Sequence, residues 1–194
     1  MEHGKVVIHL QAWKHFKTIT HHRLLVQQGC FKVGLYWQGL THDLSKYSLT
    51  EFRVGAKYYQ GNCSPNGIER REHGYSVAWI HHKGRNRHHH EYWTDICQQT
   101  GRYESVEMPR RYLAEMVMDR IAACKVYRGS AYNDGAALDY LEHSPEKAIM
   151  HPATLRQLTY LLTMLQDHGE KQTFHYIKHH VLKGKPFPWE ETEA

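Results

Sequence analysis

A single apolar stripe at helical spacing runs through the first segment of the chain, from about Lys5 to Lys32. Its members follow one another at steps of three and four residues, and they are Ile8, Ala12, His15, Ile19, His22, Val26, Cys30 and Val33. This spacing places them on one face of an α-helix. Later segments repeat the helical spacing, and no alternation typical of strands persists. The pattern therefore predicts an all-α fold.

Helix starts and stops divide the rest of the chain. Ser48 resembles an N-cap, and Glu51 three residues later completes a capping box. The predicted helices are 49–60, 69–83, 109–128, a piece from 145, 152–168 and 170–182. Residues 85–104 are predicted to be mostly irregular. We predict one helical domain over residues 1–182 and a loosely ordered tail over 183–194, where two prolines interrupt any helix.

Histidine is the unusual component of this chain, with 18 in 194 residues. Imidazole is a frequent metal ligand in proteins. His22 lies on the apolar stripe between Ile19 and Val26, so it points to the interior, whereas His21 points to a more polar side. The alternative for His22 is a core histidine bonded to a backbone carbonyl.

The adjacent pair His42 and Asp43 offers a nitrogen and a carboxylate at one place, with Lys46 three residues further on. A carboxylate can bridge two metals, as two-metal hydrolysis requires. Lys46 could hold a phosphate or protonate a leaving oxygen. The alternatives are a surface Asp at a helix start and a surface lysine.

Asp119 falls in an apolar row at steps of three and four. The row consists of Tyr112, Met116, Asp119, Ala123 and Tyr127. A carboxylate in such a row is expected to be paired or metal-bound, because desolvation costs several kcal/mol. The alternative is a buried ion pair with Arg111 or Arg120.

A second set of histidines and arginines follows the predicted helix 69–83. His81 and His82 end that helix, and His88, His89 and His90 come shortly after. Spacing does not say which of them turn inward; His81, His82 and His89 are our candidate ligands of a second metal. Arg85 and Arg87, with Lys46, are the candidate substrate-binding cations.

Net charge and cysteine usage suggest partners and compartment. The formal charge of +5 favours an anionic small molecule or nucleotide, with nucleic acid as another option. No apolar run approaches the roughly 18 residues of a membrane span. Four separated cysteines without a CxxC motif predict free thiols in the cytoplasm. Glycine-rich phosphate loops, GxSxG and HExxH are absent from the sequence.

The order His22, His42-Asp43, Asp119 resembles the HD-domain superfamily of metal-dependent phosphohydrolases. The string His-Asp-Leu-Ser-Lys is similar to the HDxxK variant of HD-GYP phosphodiesterases, although their glycine-tyrosine-proline run is absent. Between Lys14 and Arg128 the chain also resembles an uncharacterised family of small bacterial and phage proteins, which shares HDLSKYS and HHKGRNxHHxEYW. The first resemblance implies an HD-like helical bundle that holds metal.

The leading hypothesis is therefore a phosphohydrolase in which metal-activated water attacks a nucleotide or phosphodiester. One or two ions of Mn, Fe, Ni or Zn would suit the imidazole and carboxylate ligands. A di-iron oxygenase on the same scaffold is the second hypothesis. The third is a non-enzymatic protein that binds nucleic acid through the basic, histidine-rich segment 83–93.

Overall fold

The computed structural model describes residues 2–190, and it describes side chains from residue 10 onward. The predicted stripe member Ile8 and tail residues 191–194 therefore lie outside the described side chains. The described chain contains eight α-helices: α1 (Glu2–Val33), α2 (Tyr36–Thr41), α3 (Leu49–Lys57), α4 (Pro65–His73), α5 (Val77–Lys83), α6 (Arg110–Arg128), α7 (Ala136–His143) and α8 (Pro152–His179). The all-α prediction is confirmed.

A small hairpin is the one sheet in residues 2–190. Strands β1 (Thr94–Ile96) and β2 (Tyr103–Ser105) pair antiparallel, with Thr94 opposite Ser105. Both strands are largely exposed. Strands of three residues are too short to show an alternating pattern, which is why this hairpin was not predicted.

The core lies between α1, α6 and α8. The α1 stripe from His15 to Val33 is buried as predicted. Helix α1 packs against α2, α3, α6 and α8, so it is the central element of the bundle. Fully buried residues from α1, α6 and α8 form the contact, including Val26, Cys30, Leu113, Val117, Leu161 and Leu165. Burying side chains of this size stabilises the fold by about 1.5–3 kcal/mol each.

Two glycines set helix boundaries that matter for the arrangement. Gly74 has φ +80° and separates α4 from α5, so the predicted helix 69–83 is two helices. Gly169 has φ 74° and ψ 174° within α8. This break falls between the two helices that were predicted at 152–168 and 170–182. Helix α7 was not predicted.

The C-terminal segment is packed rather than loose up to residue 190. Phe187 is fully buried and stacks on Trp189, with ring centroids 5.0 Å apart. Arg110 donates to Glu190, at 2.8 Å, and the Phe187 amide donates to the same carboxylate. Two aromatic side chains and one ion pair anchor the tail, which outweighs the helix-breaking effect of its prolines.

No helix within residues 2–190 combines the length and the apolar character needed to cross a membrane. The four cysteines are free, as the sequence predicted.

Candidate metal centre

The pair His42 and Asp43 lies in a sharp turn rather than on a helix. Helix α2 ends at Thr41, and Asp43 has φ 55° and ψ 24°, the left-handed conformation. It is the one non-glycine residue with positive φ in the described chain. Such a conformation costs about 1–3 kcal/mol and is found preferentially at functional sites. Because the helix has ended, both side chains turn inward and are buried.

Arg23 of α1 holds the end of α2 from outside the turn. Its Nε donates to the carbonyl of His42, at 2.9 Å, and its Nη2 donates to the carbonyl of Leu40, at 2.8 Å. These bonds satisfy carbonyls that the end of a helix leaves without partners. The turn is thereby fixed to α1, the helix that carries His22.

The first cluster joins three parts of the chain, and its members are His22, His42, Asp43 and Asp119. His22 Nε2 lies 2.9 Å from Asp119 Oδ1 and 3.5 Å from Asp43 Oδ2. His42 Nε2 lies 3.3 Å from Asp43 Oδ2 and 3.4 Å from Asp119 Oδ1. The four ligand atoms lie within 4.8 Å of one another. These four residues are those that the sequence predicted for the first metal.

The second cluster shares Asp43 with the first, and its other members are His82, His88 and His89. His82 Nε2 lies 3.2 Å from Asp43 Oδ1, and His88 Nε2 lies 3.5 Å from the same oxygen. The Asp43 carboxylate therefore presents Oδ2 to the first cluster and Oδ1 to the second. This is the arrangement of a bridging carboxylate between two metals.

Two further carboxylates orient the imidazole rings by contacting Nδ1, the ring nitrogen that faces away from the clusters. Glu115 accepts from Nδ1 of His42, at 2.9 Å, and lies 3.2 Å from Nδ1 of His88. Glu51 accepts from Nδ1 of His82, at 2.8 Å. A ring that donates through Nδ1 keeps a lone pair on Nε2 when it is neutral. These carboxylates therefore select the tautomer that can bind a cation.

The ligand atoms at the centre are buried and face one another rather than ordinary hydrogen-bond partners. They are Nε2 of His22, His42, His82, His88 and His89 and both oxygens of Asp43, and the close contacts among the described residues are ion-pair contacts within the clusters and that of Lys46 Nζ, 2.6 Å from Asp43 Oδ2. A buried polar atom without a partner costs about 1–3 kcal/mol. Lys46 supplies positive charge to Oδ2 of Asp43, and the other atoms need positive charge from protonated rings or from a metal.

The pKa values of His42 and Asp43 are shifted in the directions that keep the histidine protonated and the carboxylate ionised. Burial lowers the pKa of His42, but the charge of Asp43 and hydrogen bonds to acidic neighbours raise it well above the usual value. Burial raises the pKa of Asp43, yet His42, Lys46 and His82 hold it well below its usual range. The carboxylates thus stay ionised and draw cations. A metal would compete with the protons on these rings.

A cavity of about 600 Å³ opens beside both clusters. Residues of each cluster contribute to its wall: His22 and Asp119 of the first, His82 and His89 of the second. A volume of this size is typical of a small-molecule site. Ligand atoms therefore face a space where a substrate could bind.

A family model matches residues 11–164 of the chain, and its description is "Family of unknown function (DUF5662)". The chain belongs to this family. No curated protein and no solved structure matches the chain significantly. All residues of the two clusters lie inside the segment that matches the DUF5662 model.

Of two further predicted site residues in that DUF5662 segment, Lys46 lies at the site and His81 does not join the clusters. Lys46 Nζ lies 2.6 Å from Asp43 Oδ2, and the side chain lines the cavity. His81 lies outside both clusters, because its Nδ1 donates to Glu51 Oε1, at 2.6 Å. His81 therefore does not join the ligands, contrary to the expectation from the sequence.

The two predicted arginines are not brought to the site. Arg85 is exposed, and its Nη1 donates to the carbonyl of His81, at 3.2 Å. Arg87 is exposed and donates to the hydroxyl of Tyr112, at 3.1 Å. Neither arginine lines the cavity. The arginines that line the cavity are Arg71, Arg120 and Arg128 instead, and none of them was predicted to bind substrate.

Two residues of the site, Glu115 and Glu51, were missed as functional residues. His88 was one of the histidines whose direction was left open, because it lies in an irregular segment where spacing does not reveal direction. Glu115 precedes Asp119 by one helical turn, so its place on the same face of α6 was the available signal. Glu51 was interpreted as the partner residue of a capping box. Its backbone amide does donate to Ser48, at 3.4 Å, but its side chain binds histidines.

Proposed function

We propose that this protein is a metal-dependent phosphohydrolase with two divalent cations that share Asp43. The observation that carries the proposal is the convergence of buried imidazole nitrogens and carboxylate oxygens in two clusters that share Asp43. In the absence of metal, protonated rings of His42, His82 and His88 would pair with the carboxylates that face both of their nitrogens, and a metal would replace the protons on Nε2. The order of ligands along the chain, which resembles the HD superfamily, supports the same function.

The residues present fit such cations. His22, His42, Asp43 and Asp119 would hold one, and Asp43, His82, His88 and His89 would hold the other. Mixed imidazole and carboxylate ligands suit Mn, Fe, Ni or Zn. When bound, such ions act as Lewis acids and lower the pKa of water to about 7. Glu115 and Glu51 would keep the rings oriented.

Lys46 is the residue of this chain that we assign to the phosphate. Its ammonium lies on Asp43 and beside the cavity, where the Asp43 charge raises its pKa above the usual value despite burial. It therefore stays protonated at neutral pH. It would attract an anionic group and could donate a proton to the oxygen that leaves phosphorus.

Phosphate release from a panel of phosphoesters tests the proposal, with protein purified without a histidine tag and reconstituted with Mn, Fe, Ni or Zn. The wild type should release phosphate from at least one compound. Lys46→Gln should lower the rate about 100-fold or more while metal stays bound. Lys147→Gln, an exposed lysine outside the cavity, is the matched control and should retain activity.

Two results would contradict the proposal. Metal-loaded protein that releases no phosphate from the whole panel would remove the hydrolase function. Oxygen consumption by the iron form, with no phosphate release, would favour the oxygenase. The nucleic-acid hypothesis stays a prediction: in the segment 83–93, His88 and His90 are buried, whereas Arg85 and Arg87 are exposed. We keep the cytoplasm as the expected compartment, given four free cysteines.

A further inference from the structure

The charges of the cavity wall are balanced, which restricts what an anionic substrate can be. Four cationic side chains line the cavity, and they are Lys46, Arg71, Arg120 and Arg128. Four carboxylates line it as well, and they are Glu51, Glu91, Asp119 and Glu146. These charges cancel over the whole wall. Away from the two clusters, Arg71, Arg120 and Arg128 face Glu91 and Glu146, so the excess there is a single positive charge.

Most of these cations are already paired. Arg120 lies 2.8 Å from Glu146, and Arg128 lies 2.5 Å from Asp139. Lys46 belongs to the cluster end through Asp43. Arg71 is exposed, and among the described residues it has no ion pair. A second phosphate, away from the clusters, would meet two arginines that are already paired and the carboxylates Glu91 and Glu146, with the exposed Arg71 as the one unpaired cation there among the described residues.

The remaining wall suits an uncharged ring. Aromatic and aliphatic side chains form much of it, including Ile19, Tyr59, Trp79, Met116, Tyr127 and Tyr140. Such walls bind flat rings by stacking and by burial of apolar surface.

His15 adds a neutral hydrogen-bonding group to this wall. Its ring is buried and lines the cavity, and neither nitrogen has a hydrogen-bond partner among the described residues. Burial and the charge of Lys46 lower the pKa of His15 to about 4, so it is uncharged at neutral pH. Gly55 lets α3 approach this ring, because a Cβ at that position would collide with it. His15 thus adds a neutral imidazole, with one donor and one acceptor nitrogen, to the cavity wall.

We propose that the substrate carries one phosphate group, attached to an uncharged ring system of about nucleoside size. This inference rests on the proposed function for the position of the phosphate at the clusters. A cavity of about 600 Å³ is much larger than a phosphate needs and is sufficient for one such ring system. Compounds with two or three phosphates should bind more weakly, because their additional phosphates would lie near the carboxylates Glu91 and Glu146.

Binding, measured separately from hydrolysis, tests this inference. Calorimetric titration of the metal-reconstituted protein compares the four common nucleoside 5′-monophosphates with their triphosphates at fixed free metal. Glycerol phosphate serves as the ring-free compound. At least one monophosphate should bind about tenfold or more tightly than both its triphosphate and glycerol phosphate.

Two variants test the reason for the discrimination. Glu146→Gln releases Arg120, and Asp139→Asn releases Arg128, so each should reduce the preference for the monophosphate by about threefold to tenfold. Asp139 is about half exposed, which makes its variant safe for folding if Glu146→Gln proves unstable. Glu142→Gln, another exposed acidic residue of α7, is the control and should leave the preference unchanged.

The possible results distinguish failure of the inference about the substrate from failure of the proposed hydrolase function. Triphosphates that bind or release phosphate more readily than monophosphates would overturn the inference and leave a hydrolase. Equal binding of glycerol phosphate would overturn the requirement for a ring. Preferential binding of monophosphates without phosphate release would support the inference about the ligand and remove the hydrolase function. Binding of none of these compounds would overturn the inference.

Discussion

The orienting role of Glu115 leads to a quantitative prediction for metal affinity. Its carboxylate lies 2.9 Å from Nδ1 of His42 in the first cluster and 3.2 Å from Nδ1 of His88 in the second. Glu115→Gln keeps the size of the side chain and removes its charge. Loss of such an outer partner weakens metal binding by about 10- to 100-fold. Because Glu115 serves both clusters, both affinities should fall.

This loss of affinity converts into a loss of thermal stability in the metal-loaded protein. At each site a tenfold weaker Kd removes about 1.4 kcal/mol of metal-induced stabilisation when the metal is in excess, so the two sites together lose about 2.8 kcal/mol. For a chain of 194 residues, that corresponds to a Tm lower by about 6–11 °C. A hundredfold effect at each site would double the shift.

Calorimetric titration of metal-free protein and thermal unfolding with and without Zn or Mn measure both quantities. Glu142→Gln should match the wild type in each. Glu115 would have no orienting role if Glu115→Gln bound both ions with wild-type affinity and gained as much Tm from metal as the wild type does. A fall in Tm of the metal-free form alone would likewise mean that Glu115 supports only the fold.

Two other predictions concern stability. His15 has a pKa of about 4 in the folded protein and about 6.5 in the unfolded protein. Between these pH values the unfolded state binds more protons than the folded state. The free energy of unfolding therefore falls as the pH falls from 6.5 toward 4. Between pH 7 and 4.5 the wild type should lose about 2 kcal/mol more unfolding free energy than His15→Gln does. Urea titrations at the two pH values measure this difference. Equal losses in the two proteins would show that His15 is not buried as a neutral ring. Phe187→Ala should lower the unfolding free energy by about 3–5 kcal/mol, because the ring is fully buried. A change below about 1 kcal/mol in urea unfolding would mean that the C-terminal segment is only loosely packed.

The fold and the first cluster were accessible from the sequence because their residues lie on periodic helices. His22 lies on the buried stripe of α1, and Asp119 interrupts an apolar row on α6. In both cases the period fixes the direction of the side chain. The helices themselves bring the two residues within 2.9 Å.

The second cluster was only partly accessible for the converse reason. His88 and His89 lie in an irregular segment, in which direction depends on tertiary packing. The left-handed turn at Asp43 has no sequence signal beyond the tolerance of Asp for this conformation. Arg87 looked like a substrate ligand, but Tyr112, which is distant in sequence, binds it.

The shared carboxylate of Asp43 is tested most directly by elemental analysis of the untagged protein. The wild type should hold about two transition-metal atoms per chain, Asp119→Asn should lose the first and retain the second, and Asp43→Asn should lose both. Wild-type protein without stoichiometric metal after reconstitution, or Asp43→Asn with its full complement of metal, would contradict a centre built around this residue.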